Sequence, residues 1–342
     1  MPFYKCLKCG RIWQYPLSEC PYCLVELKQL VSEKAKVSSI SKVMIPTLRH
    51  PFVPYFVFLI EDENKNKWVY KSIKELNQGD FLSCDSDSEA IAVWRIKYDY
   101  LQAIKKAIQL IQGVELNENS KILILPSLFS ASQNYLRENT SPEFLQAVIE
   151  YLLKNKVKIE NIKIASQSFN EIPIEAMAER SGLLKICLKN KITPFDLNKS
   201  NFVKQGDWEI SEEALKADLV INLGISQSGR AKTTENIFRI LKKENYLGLK
   251  YLFSEKEIAQ NLEKNINNLI NLSEADYIRD KEGYIFYLGI ILAGKSYLKL
   301  DRVFNEIIMN RENLDLVADI DFKEISLVGR DLKEVQFDLN KI

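Results

Sequence analysis

The sequence predicts a multidomain protein: a small all-β metal ribbon, then a short-stranded β-barrel, then an α/β domain whose sheet is mostly parallel. Three observations predict it. Two Cys-x-x-Cys pairs, Cys6-Leu-Lys-Cys9 and Cys20-Pro-Tyr-Cys23, lie ten residues apart near the start. A run of β-branched and aromatic residues broken by turn formers follows them. From Ala90 onward, buried-strand patterns alternate with amphipathic helices. A chain of 342 residues exceeds the roughly 250–300 residues at which single cores stop growing. The expected boundaries are 1–30, 31–84 and 89–342.

Each cysteine pair suits a tight knuckle with both thiolates on one side, and two facing knuckles supply four soft ligands for a tetrahedral metal. Gly10 after Cys9 and Pro21 inside the second pair fit the sharp turns. The alternative is two disulfides, which belongs to secreted chains. The opening Met-Pro-Phe-Tyr-Lys lacks the apolar core of a signal peptide, so the expectation is a cytoplasmic chain. Cys6, Cys9, Cys20 and Cys23 are thus the expected metal ligands, for Zn²⁺ before Fe, since spacing alone does not choose the metal. Four thiolates leave no open coordination position, so the site is expected to fold the chain and not to do chemistry.

Composition excludes some classes of function. The chain is 46% hydrophobic and 27% charged, as in ordinary globular proteins. The longest apolar candidate, Phe52 to Ile60, is broken by Pro54 and falls short of the ~20 residues of a membrane span. Net charge is +1, so no global field draws the chain to nucleic acid. Residues 1–84 hold 12 Lys and Arg against 8 Asp and Glu, and the remainder 35 against 38. Cys84 and Cys187 read as buried small hydrophobes.

In the second segment, Val31 to Ile45 reads as one or two strands, interrupted by Pro46 and Pro51. Pro54 to Ile60 is a strand, Glu61 to Asn66 a polar turn, and Lys67 to Lys71 the returning strand. Asn77-Gln-Gly79-Asp80 turns the chain before Phe81-Leu-Ser. Several short strands in about 55 residues suggest a small closed barrel of the OB type. A rubredoxin-like ribbon followed by such strands, over residues 4–84, resembles the domain-of-unknown-function 35 family of zinc-ribbon/OB-fold, acyl-CoA-associated proteins. That resemblance implies a partner of the thiolase or acyl-CoA synthase type, with the barrel helping to hold the acyl-CoA. A competing reading is single-stranded nucleic acid stacking on Tyr55, Phe56, Phe58, Trp68 and Tyr70. Alternation sends about half of these rings into the core, and +4 is thin for a phosphate-tracking groove. His50, the single histidine, reads as a solvated loop residue.

The α/β region opens with a strand, Ile91 to Trp94, and a helix from Tyr98 to Ile111. Lys121 to Leu125 is a strand buried on both faces. Thr140-Ser-Pro142-Glu143 is a helix start with a Thr/Glu capping box. Phe144, Leu145, Val148, Ile149, Leu152 and Leu153 form that helix's apolar stripe. Ile162 to Ser166 and Ala217 to Asn222 are further strands, and Thr234 to Lys242 and Ser254 to Leu272 read as helices. In this order of elements, with Lys232-Thr-Thr-Glu-Asn236-Ile-Phe and the closing Glu324 to Gly329, residues 90–335 resemble a divergent member of the domain-of-unknown-function 362 family. Where relatives carry Lys-Pro-Asn, this chain has Leu125-Pro126-Ser127. Where they carry Lys-Thr-His it has Ile225-Ser-Gln-Ser228, and Arg239 replaces a glycine. The resemblance therefore implies a degenerate site.

Ligands in open α/β sheets bind beyond the carboxyl ends of strands. That rule nominates Asn222, Ser226, Ser228, Arg230, Lys232 and Thr233 as ligand-binding, with Arg230 and Lys232 for a phosphate or carboxylate. The competing reading is a solvated loop. Asp301 reads as the cap of a helix from Arg302 to Met309, ahead of the alternative that it is a site residue. Gly289-Ile-Ile-Leu-Ala-Gly294-Lys295-Ser296 matches the P-loop pattern literally. Its four intervening apolar residues suit a strand better than a phosphate cradle. No catalytic residues are nominated. The leading expectation is a zinc-binding accessory or scaffold protein, a non-enzyme before an enzyme; the alternatives are an α/β enzyme or small-anion binder, and nucleic-acid binding.

Overall fold

A computed structural model describes residues 2–13, 17–31, 34–45, 54–63, 65–72, 75–83, 89–97, 99–228, 230–266, 268–280, 282–309, 316–317 and 320–337. His50 and Cys84 lie outside the described residues. The chain divides into two compact units, Met1–Asp85 and Ser86–Ile342. No helix among the described residues is long and apolar enough to cross a membrane.

In the first unit, β1 (Pro2–Lys5), β2 (Ile12–Trp13) and β3 (Lys28–Val31) form an antiparallel sheet in the order β2-β1-β3. A second antiparallel sheet joins β4 (Lys34–Val43), β5 (Tyr55–Asp62), β6 (Lys67–Ser72) and β7 (Phe81–Ser83) in the order β6-β5-β4-β7. Strict alternation along β5 sends Phe56, Phe58 and Ile60 inward, where they meet Ala35, Val37 and Trp68. These rings are core, and so is Phe3 from β1, whose ring meets Trp68 edge-on at 5.9 Å. The ribbon therefore shares its core with the second sheet and folds as part of one unit. Asp62 closes the β5–β6 turn by accepting from the Asn66 amide and side chain, at 2.6 and 2.8 Å. Gly79, at φ +99°, supplies the left-handed turn residue before β7.

The second unit alternates strands and helices, because its strands are apolar on both faces and need helices to cover them. Its elements are β8 (Ile91–Arg95), α1 (Tyr100–Leu110), β9 (Ile122–Pro126), α2 (Pro142–Lys154), β10 (Ile162–Ser166), α3 (Ile174–Ser181), α4 (Leu183–Lys189) and β11 (Phe195–Asp196). A small hairpin, β12 (Phe202–Gln205) and β13 (Trp208–Ser211), leads through α5 (Glu212–Lys216) to β14 (Leu219–Gln227). Then come α6 (Lys232–Ile237), α7 (Lys243–Leu249), α8 (Glu255–Asn265), β15 (Leu269–Arg279), β16 (Ile285–Gly294), α9 (Tyr297–Ile307), β17 (Leu327–Gly329) and α10 (Leu332–Val335). Eight strands make one sheet in the order β11-β10-β9-β14-β15-β16-β8-β17. Only the β15–β16 and β16–β8 pairs are antiparallel.

From β9 the chain moves outward to β10 and β11, then returns to lay β14 on the other side of β9. The carboxyl ends of β9 and β14 thus flank the point where strand order reverses, the favoured ligand crevice of such sheets. Helices α1 to α4 cover one face through a core that includes Ile104, Phe144, Val148 and Met177. Residues of α6, α7 and α8 cover the other. Gly224 on β14 lets α6 lie close: an added Cβ would fall 2.8 Å from the Thr233 Cβ.

Three sequence expectations are corrected here, and a fourth holds. The helix expected over Ser254 to Leu272 stops at Asn265, and Leu269 begins β15. The leucine and isoleucine spacing fits both periods, and pairing with β14 decides it. The expected helix from Thr234 to Lys242 is α6 followed by a 3₁₀ turn, Phe238–Ile240. The cap of α2 is Ser141, whose hydroxyl accepts from the Phe144 amide, and Thr140 instead bonds the Ser127 amide at 2.8 Å. The expectation that holds is the strand at the literal P-loop match: Gly289 to Gly294 lies within β16, which pairs with β15.

Candidate functional site

The two cysteine knuckles are built alike. The Cys6 amide donates to Arg11 and the Cys20 amide to Val25, while the Gly10 and Leu24 amides return to the Cys6 and Cys20 carbonyls. Each turn needs a left-handed residue directly after its second cysteine. Gly10 (φ +74°) fills that role in the first knuckle, and Leu24 (φ +50°) in the second. The geometry brings the Sγ atoms of Cys6, Cys9, Cys20 and Cys23 within 4.8 Å of one another, with Cys9 and Cys20 at 3.7 Å. A tetrahedral Zn²⁺ with bonds of about 2.3 Å sets its sulfurs about 3.8 Å apart. The four cysteines thus form a possible metal-binding site whose spacing fits the ion. Burial raises the Cys6 thiol, but donation from the Cys9 and Lys8 amides outweighs it and brings the pKa down to about 7.

The residues nominated after β14 separate into two groups. Asn222 is fully buried, and its amide is wholly engaged. It donates to the Thr233 carbonyl (2.9 Å) and the Asn271 Oδ1 (2.8 Å), and accepts from the Asn236 Nδ2 (2.8 Å). Asn236 also donates to the Leu125 carbonyl, and Asn271 to that of Lys295. This chain of three amides ties α6 to four neighbouring strands or their ends. Ser226 bonds Ser273 at 3.0 Å, Ser228 is half-buried, and Thr233 packs on Gly224. Arg230 is exposed, whereas Lys232 is buried and pairs with Glu235 at 2.8 Å.

The Lys232 ammonium stands 3.8 Å from the centre of the Phe129 ring, and the Arg239 guanidinium 4.6 Å from the same ring. Arg239 also lies 5.4 Å from the Phe169 ring and donates to the Gln167 carbonyl. Burial lowers the pKa of both cations, that of Arg239 to about 10, and the nearby Arg230 and Arg239 charges add to the effect on Lys232. Phe129 follows β9, Gln167 follows β10 and Lys232 follows β14, so three strand ends converge here. Sequence reasoning found Lys232 and Arg230. It missed Phe129 and Gln167, which carry no motif, and saw Arg239 only as a replaced glycine.

Asp301 is corrected as well. It lies inside α9, whose cap is Ser296, and its carboxylate accepts from the Thr233 and Thr234 amides at 3.3 and 2.7 Å. Glu274 on β15 accepts from the Ser141 amide and hydroxyl. Tyr100 donates to Asp276 at 2.9 Å beside it. Burial pushes Asp301 and Glu274 up to about 7 each. Their folded pKa values exceed the unfolded ones, near 4, so the stability they contribute is present at acidic pH and is lost as pH rises through 7. Urea unfolding of wild type should therefore show a loss between pH 5 and pH 7.5 that Asp301→Asn and Glu274→Gln each reduce. An unchanged slope in both variants would contradict the assignment.

Residues 122–227 match the family model described as Domain of unknown function (DUF362). A search of curated proteins found no match. Among solved structures, the chain is similar to one described as "Ltp2-ChsH2(DUF35) aldolase", at 18% identity over 24% of this chain and 70% of that one, with a TM-score of 0.20. It is also similar to a protein of unknown function from the DUF35 family of Sulfolobus solfataricus, at 23% identity and a TM-score of 0.18. That match covers 23% of this chain and 62% of the other.

Proposed function

We propose that the chain is a zinc-binding accessory protein whose first unit, a rubredoxin-like ribbon on an OB-type module, partners an acyl-CoA-handling enzyme of the thiolase or acyl-CoA synthase type. The observation that carries this is the four-thiolate cluster. Cys6, Cys9, Cys20 and Cys23 lie close enough to hold one ion and would saturate a tetrahedral one, which would make the metal a staple and leave the unit's surface as its working part. A reducing cytoplasm keeps those thiols available.

The test is a native pull-down of the tagged chain from its host, with partners identified by mass spectrometry. A stoichiometric thiolase-like or acyl-CoA synthase partner is expected. A chain that purifies alone would overturn the accessory reading. A second reading, that the α/β unit binds a small anion at the loop after Asn222, is favoured by the two buried cations on Phe129.

A further inference from the structure

We propose that the crevice at the carboxyl ends of β9, β10 and β14 is a phosphoryl-binding site, with Arg239 and Lys232 as its buried anchors against Phe129 and the exposed Arg230 near Lys232. It rests on the reading that the α/β unit binds a small anion, and it names the ligand class and the anchor.

Charge balance favours a dianion. The Arg230 and Arg239 charges both act on Lys232, and Glu235, which pairs with Lys232, is the carboxylate that also acts on Arg239. Three cations against one carboxylate leave a local excess of two positive charges, which matches a phosphate monoester dianion better than a carboxylate. Arg239 is buried to 5% exposure, and no carboxylate among the described residues pairs with its guanidinium. An aromatic face softens the desolvation of such a cation but does not neutralise it.

Hydrogen bonding leads to the same ligand. Arg239 Nε is buried and has no hydrogen-bond partner. Nearly all buried polar groups are satisfied in folded proteins, so an orphaned guanidinium N–H beside a second buried cation marks a place for an oxyanion. Arginine suits this role because its planar fork matches phosphoryl oxygens. Position agrees, because these groups follow three adjacent parallel strands at the reversal of strand order. A polar cleft of about 750 Å³ has Ser168 and Asn170 in its wall. The Asn170 side chain donates to the Phe129 carbonyl at 3.4 Å.

The experiment uses the full chain and reads the melting temperature and calorimetric binding with inorganic phosphate, against acetate at matched ionic strength. Phosphate should bind and stabilise wild type, and Arg239→Gln should weaken binding roughly 10- to 100-fold, the loss expected of a charge-assisted hydrogen bond. Should Arg239→Gln not fold, Lys232→Gln reads the same question and is expected to show the same loss. Phosphate binding undiminished in the variants would overturn this site while leaving an anion-binding loop elsewhere. Acetate binding as strong as phosphate would overturn the phosphoryl assignment. Absence of binding by either ion in wild type would overturn the anion reading itself.

Discussion

Replacing Cys9 or Cys20 with serine is expected to unfold the first unit while leaving the second folded. Among the described residues, Cys6, Cys20 and Leu27 are the fully buried members of the ribbon's own cluster, too small a core for independent stability. A structural zinc contributes on the order of 10–16 kcal/mol to such a fold, so loss of one ligand removes more than the ribbon can spare. The effect extends past residue 30, because Phe3 is buried in the core of the β4–β7 sheet against Trp68. Metal analysis should find one ion per chain in wild type. Limited proteolysis of the variant, or of wild type with a strong chelator, should leave a resistant fragment beginning near Ser86. Equal cleavage of both units, or a metal-free wild type that resists protease, would sink the idea. A colourless protein would identify zinc over iron.

How much of this was legible beforehand depends on how local the determinant is. The cysteine knuckles are local: two ligands and a turn within a few residues, readable from spacing. So are the buried strands, since β9 and β14 are apolar on both faces. Boundaries fail where two local readings compete. Thr140 and Ser141 both suit a helix cap, and only the Ser127 amide claiming the Thr140 hydroxyl settles the choice. Asp301 reads as a cap for its own helix but serves the amides of another, 67 residues away in sequence. The cation site is the least legible part. Phe129, Gln167 and Arg239 meet only because β9, β10 and β14 are neighbours, a fact of topology that no short window contains.

Topology also separates the residues after β14 that are spent on structure from those that are not, and Asn222 is the sharpest case. Its position at the end of a predicted strand made it a ligand candidate, yet its polar atoms are spent on Thr233, Asn236 and Asn271. Asn222→Leu keeps similar volume and strands three partners in a dry interior. Each buried group left without its bond costs about 1–3 kcal/mol, so a total loss of roughly 3 kcal/mol or more is expected from urea unfolding of the α/β unit. The losses should not add: Asn222→Leu combined with Asn236→Leu should cost less than the two changes summed, since both break one network. Because the network anchors α6, which begins at Lys232, phosphate affinity should fall along with stability. A loss under about 1 kcal/mol, less than a single buried hydrogen bond is worth when broken on one side, would mean that the amides are not the tie between α6 and the sheet.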